Sequence, residues 1–165
     1  MCQNLGEVVV RHTIENDWEI LKMVRLESLL DSPHAFSVTY AAALKYSEAD
    51  WRARASGRSQ YQYILAMQRT RAIGIVGGKA DASLEFNVIA MWVNPEFRGS
   101  DIANKLISAI KEFASSQGHN RVVLSVTSHN LRAINFYSRH GFIRVDCESL
   151  SLNCGDRNPK MECLL

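Results

Sequence analysis

Hydrophobic and polar positions follow two rhythms along this chain, one helical and one strand-like. Val8-Val9-Val10 is a β-branched run behind Gly6 and predicts a first strand. Asn16 or Asp17 can cap a helix, in which Trp18, Leu21, Val24, Leu26 and Leu29 recur at helical spacing. Asp31-Ser32-Pro33 ends that helix, because a proline disfavours the helical region for the residue before it. His34 to Tyr46 carries no clean period and reads as loop or broken helix. Ser47-Glu48-Ala49-Asp50 is a capping-box type start for a second helix through Trp51 to Ala55.

The texture then turns to strands. Tyr61 to Met67 and Ala72 to Gly77 are strand-like, with Arg69-Thr70-Arg71 between them as a hairpin turn, and Phe86 to Val93 is a longer run. Asn94-Pro95-Glu96 signals a turn. A helix from about Asp101 to Ser116 places Ile102, Leu106, Ala109, Ile110 and Phe113 on one face and stops at Gly118. Arg121 to Val126 predicts a strand, Asn130 to His140 a helix stopped by Gly141, and strands resume at Phe142 and at Lys160 to Leu164. Strands followed by strand–helix alternation argue for an α/β fold with a mixed sheet.

Composition narrows the class. The length of 165 residues suits one domain, taken as 1–165, and can bury a core without staples. A net charge of +2 gives no reason to expect a nucleic-acid or membrane partner. Cys2, Cys147, Cys154 and Cys163 form no C-x-x-C pair and lack metal-ligand spacing, so free thiols in a reducing cytoplasm and no metal are expected. No charged-then-apolar leader opens the chain, and no apolar run approaches the ~20 residues of a membrane span.

The chemistry concentrates between Val93 and Phe142. In Val93-Asn94-Pro95-Glu96-Phe97-Arg98-Gly99-Ser100-Asp101-Ile102-Ala103 a buried strand runs through a polar loop into a long helix. A helix N-terminus offers unpaired N–H groups and partial positive charge, a ready site for phosphate. Gly99, Ser100 and Ala103 are small enough for close approach, and Arg98 can add a charge-assisted contact. Many strand–loop–helix joints look like this and bind nothing. The second half is Asn130-Leu131-Arg132-Ala133-Ile134-Asn135-Phe136-Tyr137-Ser138-Arg139-His140-Gly141-Phe142.

Together the halves resemble the GNAT superfamily of acyl-CoA-dependent N-acetyltransferases. Arg98 and Ala103 match the ends of the family's first motif, and Asn130, Ala133, Tyr137, Gly141 and Phe142 match its second. Asp31 to Phe36 and Trp51 to Arg54 look like the variable N-terminal part of some bacterial members. The resemblance implies a mostly antiparallel twisted sheet flanked by helices, with strands splayed at a cofactor slot in a core of about 86–145. It implies acetyl-CoA as co-substrate and an amine, on a small molecule or a protein, as acceptor, in a monomer or homodimer. The coenzyme A pyrophosphate would sit on backbone N–H groups from Arg98 through Gly99, Ser100, Asp101 and Ile102 to Ala103. The pantetheine arm would lie beside Met91, Trp92 and Val93 and bond Asn130, with Ala133 and Phe136 near it. Tyr137 would protonate the departing thiolate, although its spacing alone favours a core aromatic.

Two positions depart from the family pattern. Asp101 stands where the central glycine belongs, either as a plain helix-start aspartate or as a replacement that sets a carboxylate near the pyrophosphate. Asn87 stands where many members carry a glutamate base. Strand alternation puts Glu85, Asn87, Ile89 and Met91 on one face, which makes Glu85 the nearest substitute base, or else a solvated strand-end carboxylate. The rival to an enzyme is therefore a catalytically degenerate acyl-CoA sensor of the same shape. The acceptor is expected to meet the helices from Trp18 to Trp51 and the loop near Asn153 to Pro159.

Overall fold

The structure, a computed structural model, describes residues 6–82, 85–145 and 159–165. Most of the 153–159 loop, and Cys2, Cys147 and Cys154, lie outside the described residues. Seven strands make one sheet in the order β1-β2-β3-β4-β5-β7-β6. They span Val8–His12 (β1), Tyr61–Gln68 (β2), Arg71–Ala80 (β3), Phe86–Val93 (β4), Arg121–Ser125 (β5), Ile143–Val145 (β6) and Lys160–Leu164 (β7). Neighbours pair antiparallel except β4 and β5, which run parallel. A parallel pair needs a long crossover. Here it is the helix α4, Ile102–Ser116 in chain order.

Before it come α1 (Trp18–Asp31), α2 (Tyr40–Leu44) and α3 (Glu48–Ala55), and after it α5 (Leu131–Arg139). The predicted broken stretch resolves into a 3-10 turn at Pro33–Ala35 followed by the short α2. Each sheet face owns a core. On one side Ile102, Leu106 and Ile110 of α4 pack with Val76, Phe86 and Val88. On the other, Leu21, Val24 and Leu29 of α1 and Trp51 of α3 pack with Leu65, Ile75 and Trp92. The predicted capping box is present: Asp50 N donates to Ser47 Oγ at 3.1 Å and Ser47 N donates to Asp50 Oδ2 at 2.9 Å. No helix among the described residues is long and apolar enough to cross a membrane.

A buried carboxylate ties the start of α1 to the sheet. Asp17 accepts two hydrogen bonds from Arg11 of β1, at 2.7 and 2.9 Å, and one from Ile14 N at 2.8 Å. Those contacts, Arg11 first, hold its carboxyl below the usual carboxylate range. The contribution is complete above the unfolded value of about 4 and is lost as pH falls through the lower folded one. Asp17→Asn should cost about 2 kcal/mol by urea unfolding at pH 7, discounted for the partly exposed Arg11. The cost should shrink in the same assay at pH 3.

Candidate functional site

β4 and β5 pair only at Phe86↔Val122 and Asn87↔Val123. Beyond Asn87, β4 stays with β3, and β5 stays with β7 as far as Ser125↔Lys160. The parting begins in β4. Gly77 faces Ile89 and Ile75 faces Trp92, so three steps on β4 match two on β3. The extra residue makes a bulge, with Ala90 at φ 58. A bulge bends its strand and increases local twist. Positive φ in a residue with a Cβ costs of order 1–3 kcal/mol and persists only where the surroundings over-determine it. Here the far end is held as well, since Asn94 N donates to Ile73 O at 2.8 Å. The result is a wedge between residues 88–93 and 124–126. Its facing backbone edges have no sheet partner among the described residues.

The bulge corrects the strand alternation expected from sequence. Glu85, Asn87 and Ile89 do share a face, but Met91 does not: it packs against the α4 core while Ile89, Ala90 and Trp92 pack on the α1 side. One extra residue in a period-2 strand reverses every side chain beyond it. Trp92 is core, with Nε1 donating to Asp31 Oδ2 at 2.9 Å, so only its backbone borders the wedge.

At the mouth of the wedge lies the start of α4. Lys105 N makes the first intrahelical bond, to Asp101 O at 3.1 Å. The N–H groups of Ile102, Ala103 and Asn104 precede it and lack an intrahelical acceptor. Gly99 has φ 80, and a Cβ built there would meet nothing within 4 Å. Backbone conformation, not crowding, is what requires glycine there. Ser100 Oγ donates to Phe97 O at 2.5 Å, and Ile102 is buried. Arg98 is engaged: Nη2 bonds Asp31 Oδ2 at 2.6 Å and Nε bonds Val93 O at 3.0 Å. Trp92 first, then Ser32 and Arg98, hold the Asp31 carboxyl below its usual range. Asp31 thus fastens the end of α1 to both β4 and the loop before α4. Sequence gave no sign of that role, because its partners lie more than 60 positions away.

Asp101 has φ −82, so its backbone does not require glycine. Its Oδ1 accepts from Asn104 Nδ2 at 2.8 Å. It lines a hollow of about 540 Å³ beside β1, with Val8, Val10, Asn104 and Lys105. Ala103 lies 200° further round the helix at 100° per residue and packs against the core beneath α4.

Across the wedge, Asn130 caps α5, its Oδ1 accepting from Ala133 N at 3.2 Å. Ala133 and Phe136 are half-buried against the same core. Tyr137 is buried, edge-to-face with Phe136 at 5.3 Å and Phe142 at 5.5 Å between centroids. Burial raises its phenol above the usual value, so it stays protonated at neutral pH. Glu85 pairs with Lys160 of β7 at 2.5 Å and sits where β4 begins. Asn87 Nδ2 faces Glu85 O at 3.3 Å and Asp81 Oδ2 at 3.4 Å, which ties it to the β3–β4 hairpin.

Residues 24–142 match the sequence profile of the acetyltransferase (GNAT) family. N-alpha-acetyltransferase 30 of Schizosaccharomyces pombe is 32% identical over 84 residues, 48% of this chain and 56% of its own length. This chain therefore spans little more than half of that relative. The fold is similar to a crystal structure of PaiA N-acetyltransferase from Thermoplasma acidophilum in complex with coenzyme A. There the TM-score is 0.74 at 20% identity, covering 97% of this chain and 100% of that one. It is also similar to a GNAT-family acetyltransferase from Streptococcus pneumoniae, with TM-score 0.78 at 18% identity over 96% of this chain and 100% of that one.

Proposed function

The chain belongs to the GNAT family of acetyltransferases, and on that premise we propose that it moves an acetyl group from acetyl-CoA to a primary amine by direct attack in a ternary complex. The wedge between β4 and β5, opened by the bulge at Ala90, is the observation that carries the reading. A strand edge without a partner can pair with an extended, amide-bearing pantetheine arm. The backbone N–H groups from Gly99 to Asn104 take the pyrophosphate. Asp101 is accommodated because its carboxylate turns to Asn104 and the hollow beside β1. Asn130 holds its carbonyl on the helix end and keeps its amide N–H groups for the pantetheine.

The amine attacks the thioester carbonyl and the collapsing adduct expels a thiolate. Tyr137 supplies the proton, being neutral and close-packed in the α5 core that borders the wedge. Glu85 is the proposed base. It shares the α1-side face with Asn87 and Ile89, four positions and about 13 Å of strand before Ile89. At that distance it takes the amine proton through a chain of several ordered waters. Glu85→Gln should lower kcat roughly 10-fold and leave the acetyl-CoA Kd unchanged; an unaltered pH–rate profile would remove Glu85 from the mechanism. The reading as a whole is tested by calorimetry with acetyl-CoA and by detection of free coenzyme A over an amine panel. Absence of binding at millimolar acetyl-CoA rejects it. Tight binding with no thiol released from any amine would instead favour the sensor.

A further inference from the structure

On the α1 side of the sheet the arginines divide into two kinds. Arg11, Arg52, Arg58, Arg71 and Arg98 each pair with a carboxylate. Arg25 and Arg54 pair with none among the described residues. Arg25 stacks over Phe36 at 4.7 Å, and Arg54 lies 4.4 Å from the ring centroids of both Tyr46 and Tyr61. Lys79 adds a third cation, 5.4 Å from the Tyr61 ring. Asp50 stands one turn before Arg54 on α3, but its carboxylate is engaged by the capping box at Ser47. The two guanidinium groups repel each other, and burial disfavours the charge on Arg25. The buried Tyr63 side chain favours the charge on Arg54. Arg25, Arg54, Tyr46 and Tyr61 are all half-buried, so the cluster remains open to a ligand.

The cluster and the wedge are linked by strand register across the α1-side face of the sheet. Tyr63 pairs with Gly77, and Gly77 pairs with Ile89, the residue before the bulge. A Cβ on Gly77 would stand 2.9 Å from Tyr63 Cε1 and 3.0 Å from Ile89 Cγ1. The buried ring of Tyr63 and the side chain of Ile89 therefore both flank the bare glycine on the α1 side of the sheet. Two strand spacings, about 10 Å, separate β2 from β4.

We propose that Arg25 and Arg54 form an anion subsite of the acceptor channel, so that the amine acetylated at the wedge carries a carboxylate or phosphate group about 10 Å from its nitrogen. The inference rests on the acetyltransferase reading for the position of the amine. Partly desolvated guanidinium groups with no carboxylate partner among the described residues bind such groups through charge-assisted bonds.

The test is a matched panel assayed by thiol release: ω-amino carboxylates of increasing length against their carboxamides, and phosphorylated amino alcohols against their parents. The anionic member of each well-fitting pair should show kcat/KM about 10-fold or more above its neutral twin. Which series gains more tells carboxylate from phosphate. Arg54→Gln and Arg25→Gln should each erase most of the difference at unchanged KM for acetyl-CoA, and Arg54→Lys should keep part of it. Equal rates for both members of every pair, or a preference that survives both glutamine variants, would overturn the subsite. The N-acetylated products, compared in the same pairs by thermal shift without turnover, read the subsite separately. If acetyl-CoA fails to bind while the anionic products still stabilise the protein, the acetyltransferase reading fails and the anion subsite stands; if neither stabilises more than its neutral twin, the subsite is absent.

Discussion

Tyr137→Phe is expected to lower kcat about 100-fold and to leave acetyl-CoA affinity within about 2-fold, measured by thiol release and calorimetry on the same preparation. The ring contributes packing, edge-to-face with Phe136 and Phe142, and phenylalanine preserves that packing. Only the hydroxyl is lost. A thiol of pKa about 8.5 is a moderate leaving group, so unassisted expulsion is slowed rather than stopped. The sign of the pH dependence follows from burial. With its pKa raised above the usual value of about 10, the phenol stays protonated throughout the working range, so loss of Tyr137 should leave the shape of the profile below pH 9 intact while lowering its height. A variant with an unchanged kcat would make Tyr137 a core aromatic and nothing more.

The fold was largely legible because its local signals agree with one another. The α4 stripe of Ile102, Leu106 and Ile110, the stops at Gly118 and Gly141, and the capping box at Ser47 and Asp50 each follow from nearest-neighbour physics. What escaped was non-local. Ala90 has no reason in its own chemistry to adopt φ 58; β3 on one side and the tether of Asn94 to Ile73 impose it. Without that residue the expected face for Met91 was necessarily inverted. The same holds for the site. Its motif residues are contiguous and readable, whereas Asp31, Trp92 and Arg98 meet across two elements and a loop. Arg25 meets Phe36, and Arg54 meets Tyr46 and Tyr61, only through the packing of α1 and α3 on the sheet.

Asp101 also shows how position on a helix decides the effect of a charge. Asp101→Gly should change acetyl-CoA affinity by no more than about 3-fold, because the carboxylate is turned to Asn104 and the hollow beside β1. Ala103→Asp should weaken affinity about 100-fold or more. Position 103 is 200° round from Asp101 at 100° per residue, on the core-facing side of α4. A carboxylate there lies on the order of 5 Å from the proposed pyrophosphate, and at an effective dielectric of about 20 each like-charge pair costs about 3 kcal/mol. The same carboxylate sits in the first turn of α4, where it favours the helix dipole. That gain offsets part of the cost of setting a carboxylate against the core, so urea unfolding should show a folded variant with a modest loss of stability while calorimetry shows binding lost. A folded variant that does not bind separates electrostatic exclusion from misfolding. If Ala103→Asp binds acetyl-CoA as well as the parent, the pyrophosphate does not lie on the start of α4.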